Sequence, residues 1–189
     1  SNQLGSGFTY TYDSFGNIVG TKMGTVDTSG VLDTDELYLE SGVTYDSTGN
    51  YVTAVTDQRG NTVSYNIDPI SGLTGSITDP SGATTSYTYE EDSWLPLTVT
   101  SGDASVSYGY DAYNRLTQIR HNGFTYHFTF DKFGNTGTVK VGNQALITNA
   151  YENGNGQLQS ATYGNGTVYS YAYDTYGRVT DVFINGVKS

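Results

Sequence analysis

Two histidines, His121 and His127, flank the Asn122-Gly123 dipeptide, and a hairpin folding there would set them side by side across two strands. A His pair with a nearby carboxylate binds a metal or serves as a general base. The chain offers neither a companion nucleophile in a recognisable setting nor a Gly-rich phosphate loop, so the pair reads as ordinary strand histidines. There is no Cys in the 189 residues, which excludes disulfides, zinc-thiolate sites and cysteine nucleophiles. The other oxygen-rich pattern is a series of clusters that open on Asp and close on Gly: Asp13–Gly16, Asp46–Gly49, Asp57–Gly60, Asp79–Gly82, Asp131–Gly134 and Asp174–Gly177. Calcium requires roughly six to eight oxygens, and each cluster brings one carboxylate. On these grounds no catalytic residue, metal ligand or cofactor is expected, and the clusters read as turns.

Trp94 is the only Trp and precedes Leu95-Pro96-Leu97. Together with exposed Tyr it would make a candidate platform for stacking sugar rings; packing against the fold is the plainer reading. Asn165-Gly166-Thr167 is a formal glycosylation sequon that a hairpin turn explains equally well.

Composition narrows the classes further. Nineteen Asp and Glu against eight Lys and Arg give a net charge of −11, which leaves no electrostatic footprint for phosphate backbones, so nucleic acid is not an expected partner. No apolar run approaches the ~18 residues of a membrane span. Eighteen Tyr, seven Phe and 24 Gly, with much Thr and Val and little Leu, point to an all-β chain.

The elements that carry these residues follow from periodicity. Asp46, Asp57, Asp68, Asp79 and Glu90 fall eleven apart, and near-equivalents continue along the chain. Asp at the first position of a turn accepts backbone N–H groups ahead of it, and Gly supplies positive φ at the exit. Between turns lie about seven residues with strand chemistry and period-two alternation, such as Phe124-Tyr126-Phe128-Phe130 and Thr167-Tyr169-Tyr171-Tyr173. About sixteen short strands in an antiparallel meander are predicted, without a helix. The true unit is two strands, about 20 to 22 residues, and about eight units form one array over 1–189, with an irregular insertion or bent corner at about 24–41.

Each unit carries an aromatic-x-aromatic-Asp signature before its turn. The repeat-defining positions are Tyr12, Asp13 and Gly16; Tyr45, Asp46 and Gly49; Tyr89; Tyr110 and Asp111; Phe130, Asp131 and Gly134; and Tyr173, Asp174 and Gly177. Phe128 and Phe130 stand where other units carry Tyr, which makes the ring rather than the hydroxyl the common requirement. Rings stacked from strand to strand, each pair contributing about 0.5–1 kcal/mol, are expected. Hydrophobic residues after the turn recur three apart, as in Leu116 and Ile119, Val179 and Val182, and Val52 and Val55. Either a β-bulge returns them to one face or the strand buries both faces.

Tyr171-Ala172-Tyr173-Asp174-Thr175-Tyr176-Gly177-Arg178-Val179 and Tyr108-Gly109-Tyr110-Asp111-Ala112-Tyr113-Asn114-Arg115-Leu116 resemble the YD-repeat (RHS-repeat) family, whose pattern is Tyr-x-Tyr-Asp-x-x-Gly-Arg/Asn-hydrophobic. The longer turns at Ser71-Gly72 and Asp92-Ser93 depart from it. The resemblance implies a twisted or spiralling sheet, part of a β-shell, in a secreted or bacterial cell-surface protein. Such shells enclose or present a polypeptide, often a C-terminal toxin, so the implied role is structural and non-enzymatic. The implied partners are adjacent repeats and that polypeptide. Unpaired terminal strands would favour edge-to-edge self-association. The alternative is an aromatic-lined carbohydrate-binding or adhesion module, with glycans as partners and Trp94 as its platform.

Overall fold

The structure is a computed structural model that describes residues 5–27, 29–152 and 154–189, leaving aside the side chains at 34–38. The described residues are all-β. The chain divides into two compact units. One comprises 1–88 with Thr100–Asp103, the other Tyr89–Val99 with Ala104–Ser189.

In the first unit, β1 (Ser6–Tyr12), β2 (Ile18–Val26), β3 (Leu32–Tyr45), β4 (Val52–Thr56), β5 (Thr62–Ile67), β6 (Thr74–Thr78) and β7 (Thr84–Tyr89) pair in chain order, each antiparallel to the next. Only the last residue of β7 falls outside this unit. β8 (Pro96–Ser101) follows. The second unit continues with β9 (Ala104–Tyr110), β10 (Leu116–His121), β11 (Phe124–Phe130), β12 (Thr136–Val141), β13 (Gln144–Tyr151), β14 (Leu158–Tyr163), β15 (Val168–Tyr173), β16 (Val179–Ile184) and β17 (Val187–Lys188), again as a sequential antiparallel meander. The strands are short because a turn-forming Asp, Asn or Gly arrives about every eleven residues.

The three-residue spacing of the hydrophobics resolves in favour of the bulge. Between β9 and β10 the register steps from Leu116↔Tyr110 to Gln118↔Gly109, which leaves Thr117 as an extra residue. The same step recurs between β15 and β16, where Val179 opposes Tyr173 and Val182 opposes Tyr171. It recurs again between β3 and β4, where Val52 opposes Tyr45 and Val55 opposes Val43. Thus Leu116 and Ile119 both lie on the face that carries Tyr110 and Tyr108. The Thr117 hydroxyl donates to the Gly109 carbonyl at 3.1 Å, and the Thr53 hydroxyl to the Thr44 carbonyl at 3.2 Å, so a bulge Thr also holds its partner strand.

Apart from Tyr163 of β14 against Tyr169 of β15, the expected strand-to-strand stacking of rings is replaced by a different arrangement. Tyr108 and Tyr126 both oppose Ile119, Phe128 opposes Val139, Tyr171 opposes Val182, and Tyr65 opposes Ile77. The two-strand period sets an aliphatic return strand between successive aromatic strands, so rings pack on Ile and Val. The ring–ring contacts among the described residues are Phe8 with Tyr10 and Tyr163 with Tyr169.

The stretch read from sequence as an insertion or bent corner extends the β2–β3 hairpin, whose register shifts at Met23/Gly24 and again at Gly24/Val26. Side chains at 34–38, within that stretch, lie outside the description.

A conventional core is lacking among the described residues. Gly24, Thr25 and Ala161 are the buried residues among those described, with Ala161 only 3% exposed. The accessible surface is 12533 Å². Most rings and aliphatic side chains are therefore half-covered, each screened by its in-sheet neighbours alone.

Candidate functional site

The motif positions occupy one recurring place in the fold. Tyr12, Tyr45, Tyr89, Tyr110, Phe130 and Tyr173 are the last residues of β1, β3, β7, β9, β11 and β15, and the acidic residue that follows each opens a turn. At Asp131 the carboxylate Oδ1 accepts the N–H groups of Phe133 at 2.8 Å and Asn135 at 2.9 Å. The Gly134 N–H donates to the Asp131 carbonyl at 3.1 Å, which requires Gly134 to adopt φ 90°. Asp13, Asp111 and Asp174 accept the same pair of N–H groups at 2.9–3.1 Å. At Asp111 the left-handed position falls to Asn114, with φ 61°.

These bonds favour the ionised carboxylate. Asp174 is held below the ordinary value of 3.8, chiefly by the Arg178 backbone N–H, and Asp68 chiefly by that of Ser71. Asp27, Asp46, Asp57, Asp79 and Asp131 are likewise lowered, each with a side-chain hydrogen bond from its own turn as the largest cause. For Asp13 and Asp111 partial desolvation pulls upward, yet the combined hydrogen bonds outweigh it.

The residue after the turn Gly, which sequence reasoning left without a role, links one turn to the next. Asn17 donates to Asp13 Oδ2 at 3.2 Å and to the Gly49 carbonyl of the following motif turn at 2.7 Å. Arg115 donates through Nε to Asp111 Oδ2 at 2.7 Å and through Nη1 to the Asp131 carbonyl at 3.2 Å. Its guanidinium lies 4.7 Å from the Phe130 ring centre and 5.2 Å from that of Tyr113. The Arg/Asn preference in the motif was the available signal.

The tyrosine hydroxyls were also missed. Tyr110, Tyr151 and Tyr173 donate to the carbonyls of Pro96 at 2.9 Å, Thr136 at 3.0 Å and Leu158 at 2.7 Å. Each carbonyl belongs to the first residue of the preceding strand. The ring-only requirement therefore describes Phe130, whereas these three positions use the hydroxyl too. Burial raises the Tyr110 phenol pKa above its ordinary value of 10.0.

The two histidines do not come together. His121 pairs with Phe124, whereas Gln118 pairs with His127, three rungs further along β10 and β11. An odd number of rungs puts them on opposite faces. Trp94 lies on the turn between β7 and β8, is 56% exposed, and adopts φ 59°. Among the described residues no ring stacks against it.

Residues 153–182, which span the Asp174 turn and the Tyr173 hydroxyl bond, match the family model of the RHS repeat. Those residues form an RHS repeat. Solved structures similar to this repeat segment include a TcdB2-TccC3-TEV crystal structure (18% identity, TM-score 0.60, covering 94% of this chain and 11% of that one). Another is TcdB2-TccC3-Cdc42 (17% identity, TM-score 0.59, 92% and 11%). A third is a Tc holotoxin pore of Photorhabdus luminescens with a TccC3 mutation (18% identity, TM-score 0.59, 89% and 10%). The repeat segment thus spans about a tenth of the length of the chains it resembles. No curated protein matches it.

Proposed function

We propose that this RHS-repeat segment is a non-enzymatic stretch of sheet wall in a secreted, toxin-associated protein, and that the wall encloses a polypeptide cargo. The absence of a core among the described residues carries the reading. With only Gly24, Thr25 and Ala161 buried among the described residues, the sheet leaves apolar area to be covered by something outside its own strands. The repeat chemistry serves extension, since each turn, bulge and hydroxyl bond joins a unit only to its neighbours. On this reading the two units belong to one continuous array, because the aromatic-Asp signature runs through both. The likeness to chains of Tc toxin complexes supports the assignment to a toxin-associated wall.

Limited proteolysis of the intact parent protein tests the cargo role. Enclosure predicts that a polypeptide within the wall survives protease while the wall is intact and is digested once it is opened by denaturant. Equal digestion in both states would overturn it.

A further inference from the structure

Three motif turns provide a cation for their own exposed ring. Arg115 lies over Tyr113 at 5.2 Å, Lys132 over Phe133 at 4.9 Å, and Arg178 over Tyr176 at 5.4 Å. Trp94 breaks this pattern. Its turn reads Glu90-Glu91-Asp92-Ser93-Trp94 and contains no cation. The Glu90 carboxylate accepts the Ser93 hydroxyl, while Glu91 and Asp92 are exposed and make no ion pair among the described residues.

The backbone position is equally unusual. In three of the four six-residue turns the N–H of the fifth residue donates to the carbonyl of the first: Gly72 to Asp68 at 2.8 Å, Trp94 to Glu90 at 3.0 Å, and Gly156 to Glu152 at 3.1 Å. All three adopt positive φ, at 74°, 59° and 71°. Glycine takes this conformation without strain, and a bulky side chain does not. Trp94 thus occupies a glycine position and projects an indole that its own chain leaves half-bare.

We propose that Trp94, Glu91 and Asp92 form a docking site for a basic peptide segment, with an Arg or Lys side chain seated on the indole and its charge facing the two carboxylates. Trp is the strongest cation–π acceptor among the side chains. The negative field of a chain with net charge −11 favours approach of such a partner. A neutral sugar would gain hydrogen bonds from the carboxylates but no ion pairing, so its binding would not weaken with salt.

As the only Trp in the chain, Trp94 makes intrinsic fluorescence a direct report of the site. Titration with a short peptide of alternating Arg and Gly is expected to give a saturable change that weakens with added salt. Affinity should fall on the order of tenfold in the Glu91→Gln/Asp92→Asn double variant, with the melting temperature unchanged. Trp94→Gly should melt at a higher temperature than Trp94→Ala, because glycine fits the left-handed position, yet both should lose peptide binding measured by calorimetry. The proposal is overturned by no saturable response to the Arg-Gly peptide. It is equally overturned by binding that the double variant retains, or by a response to a soluble chitin oligosaccharide and not to the peptide.

Discussion

The hydroxyl of Tyr173 donates to the carbonyl of Leu158 at 2.7 Å, joining the end of one aromatic strand to the start of the aliphatic strand before it. With almost nothing buried, such bonds and the in-sheet contacts of the same ring are what hold neighbouring repeats together. Tyr173→Phe should destabilise by about 1 kcal/mol, the loss of one half-buried hydrogen bond. Tyr173→Ala should cost about 2–4 kcal/mol, because the half-buried ring is lost together with its hydroxyl bond. Urea unfolding of the three proteins checks the order.

Acid should weaken the fold through its turns. The Asp carboxylates accept N–H groups only in the folded chain, so their folded pKa values lie below the ordinary 3.8. Their contribution is fully present above that value and is lost as pH falls through the lower folded one. The urea midpoint should be flat in this respect above about pH 5 and decline steadily below 3.8. A midpoint that rose on acidification over that range would refute the role assigned to the Asp turns.

Backbone conformation sets the sign of two turn substitutions. Gly134 has φ 90° and open space around a would-be Cβ, so Gly134→Ala should cost about 1–2 kcal/mol from conformation alone. Asn114 holds the equivalent place at φ 61°, and Asn114→Gly should be neutral or stabilise by up to about 1 kcal/mol. Thermal melts of both variants measure the opposite signs.

Arg115 and Arg178 occupy the same motif position and should respond differently to lysine. Arg115 joins two turns and lies over two rings, and its side chain is 30% exposed; that of Arg178 is 76% exposed and pairs within its own turn. Arg115→Lys should cost about 1 kcal/mol, and Arg178→Lys under about 0.5 kcal/mol. Chemical denaturation distinguishes them.

Much of this was legible in the residues. The eleven-residue spacing of Asp and Gly located the turns, because that chemistry is local. The three-residue gap between Leu116 and Ile119 already required either a bulge or a doubly buried strand, and pairing with Tyr110 and Tyr108 selects the bulge. What sequence did not show depends on neighbours distant along the chain. The carbonyls that receive Tyr110 and Arg115 lie 14 and 16 residues away. Stacked rings were expected from composition, but the alternation of aromatic and aliphatic strands puts Ile119 between Tyr108 and Tyr126. The left-handed backbone of Trp94 follows from its turn's hydrogen bonds, which residue type alone would have argued against.

The central claim, a sheet wall with one covered face, is tested most directly at two adjacent residues of β10. Ile119 lies on the face of Tyr108 and Tyr126, and Gln118 on the opposite face with Gly109 and His127. These 189 residues contain no Cys, so Ile119→Cys and Gln118→Cys each add one thiol to them, and its labelling by a bulky maleimide in the parent protein is read on the peptide that carries it. Enclosure predicts slow labelling at 119 and fast labelling at 118, with the difference abolished on unfolding. Equal rates in the folded parent would contradict it.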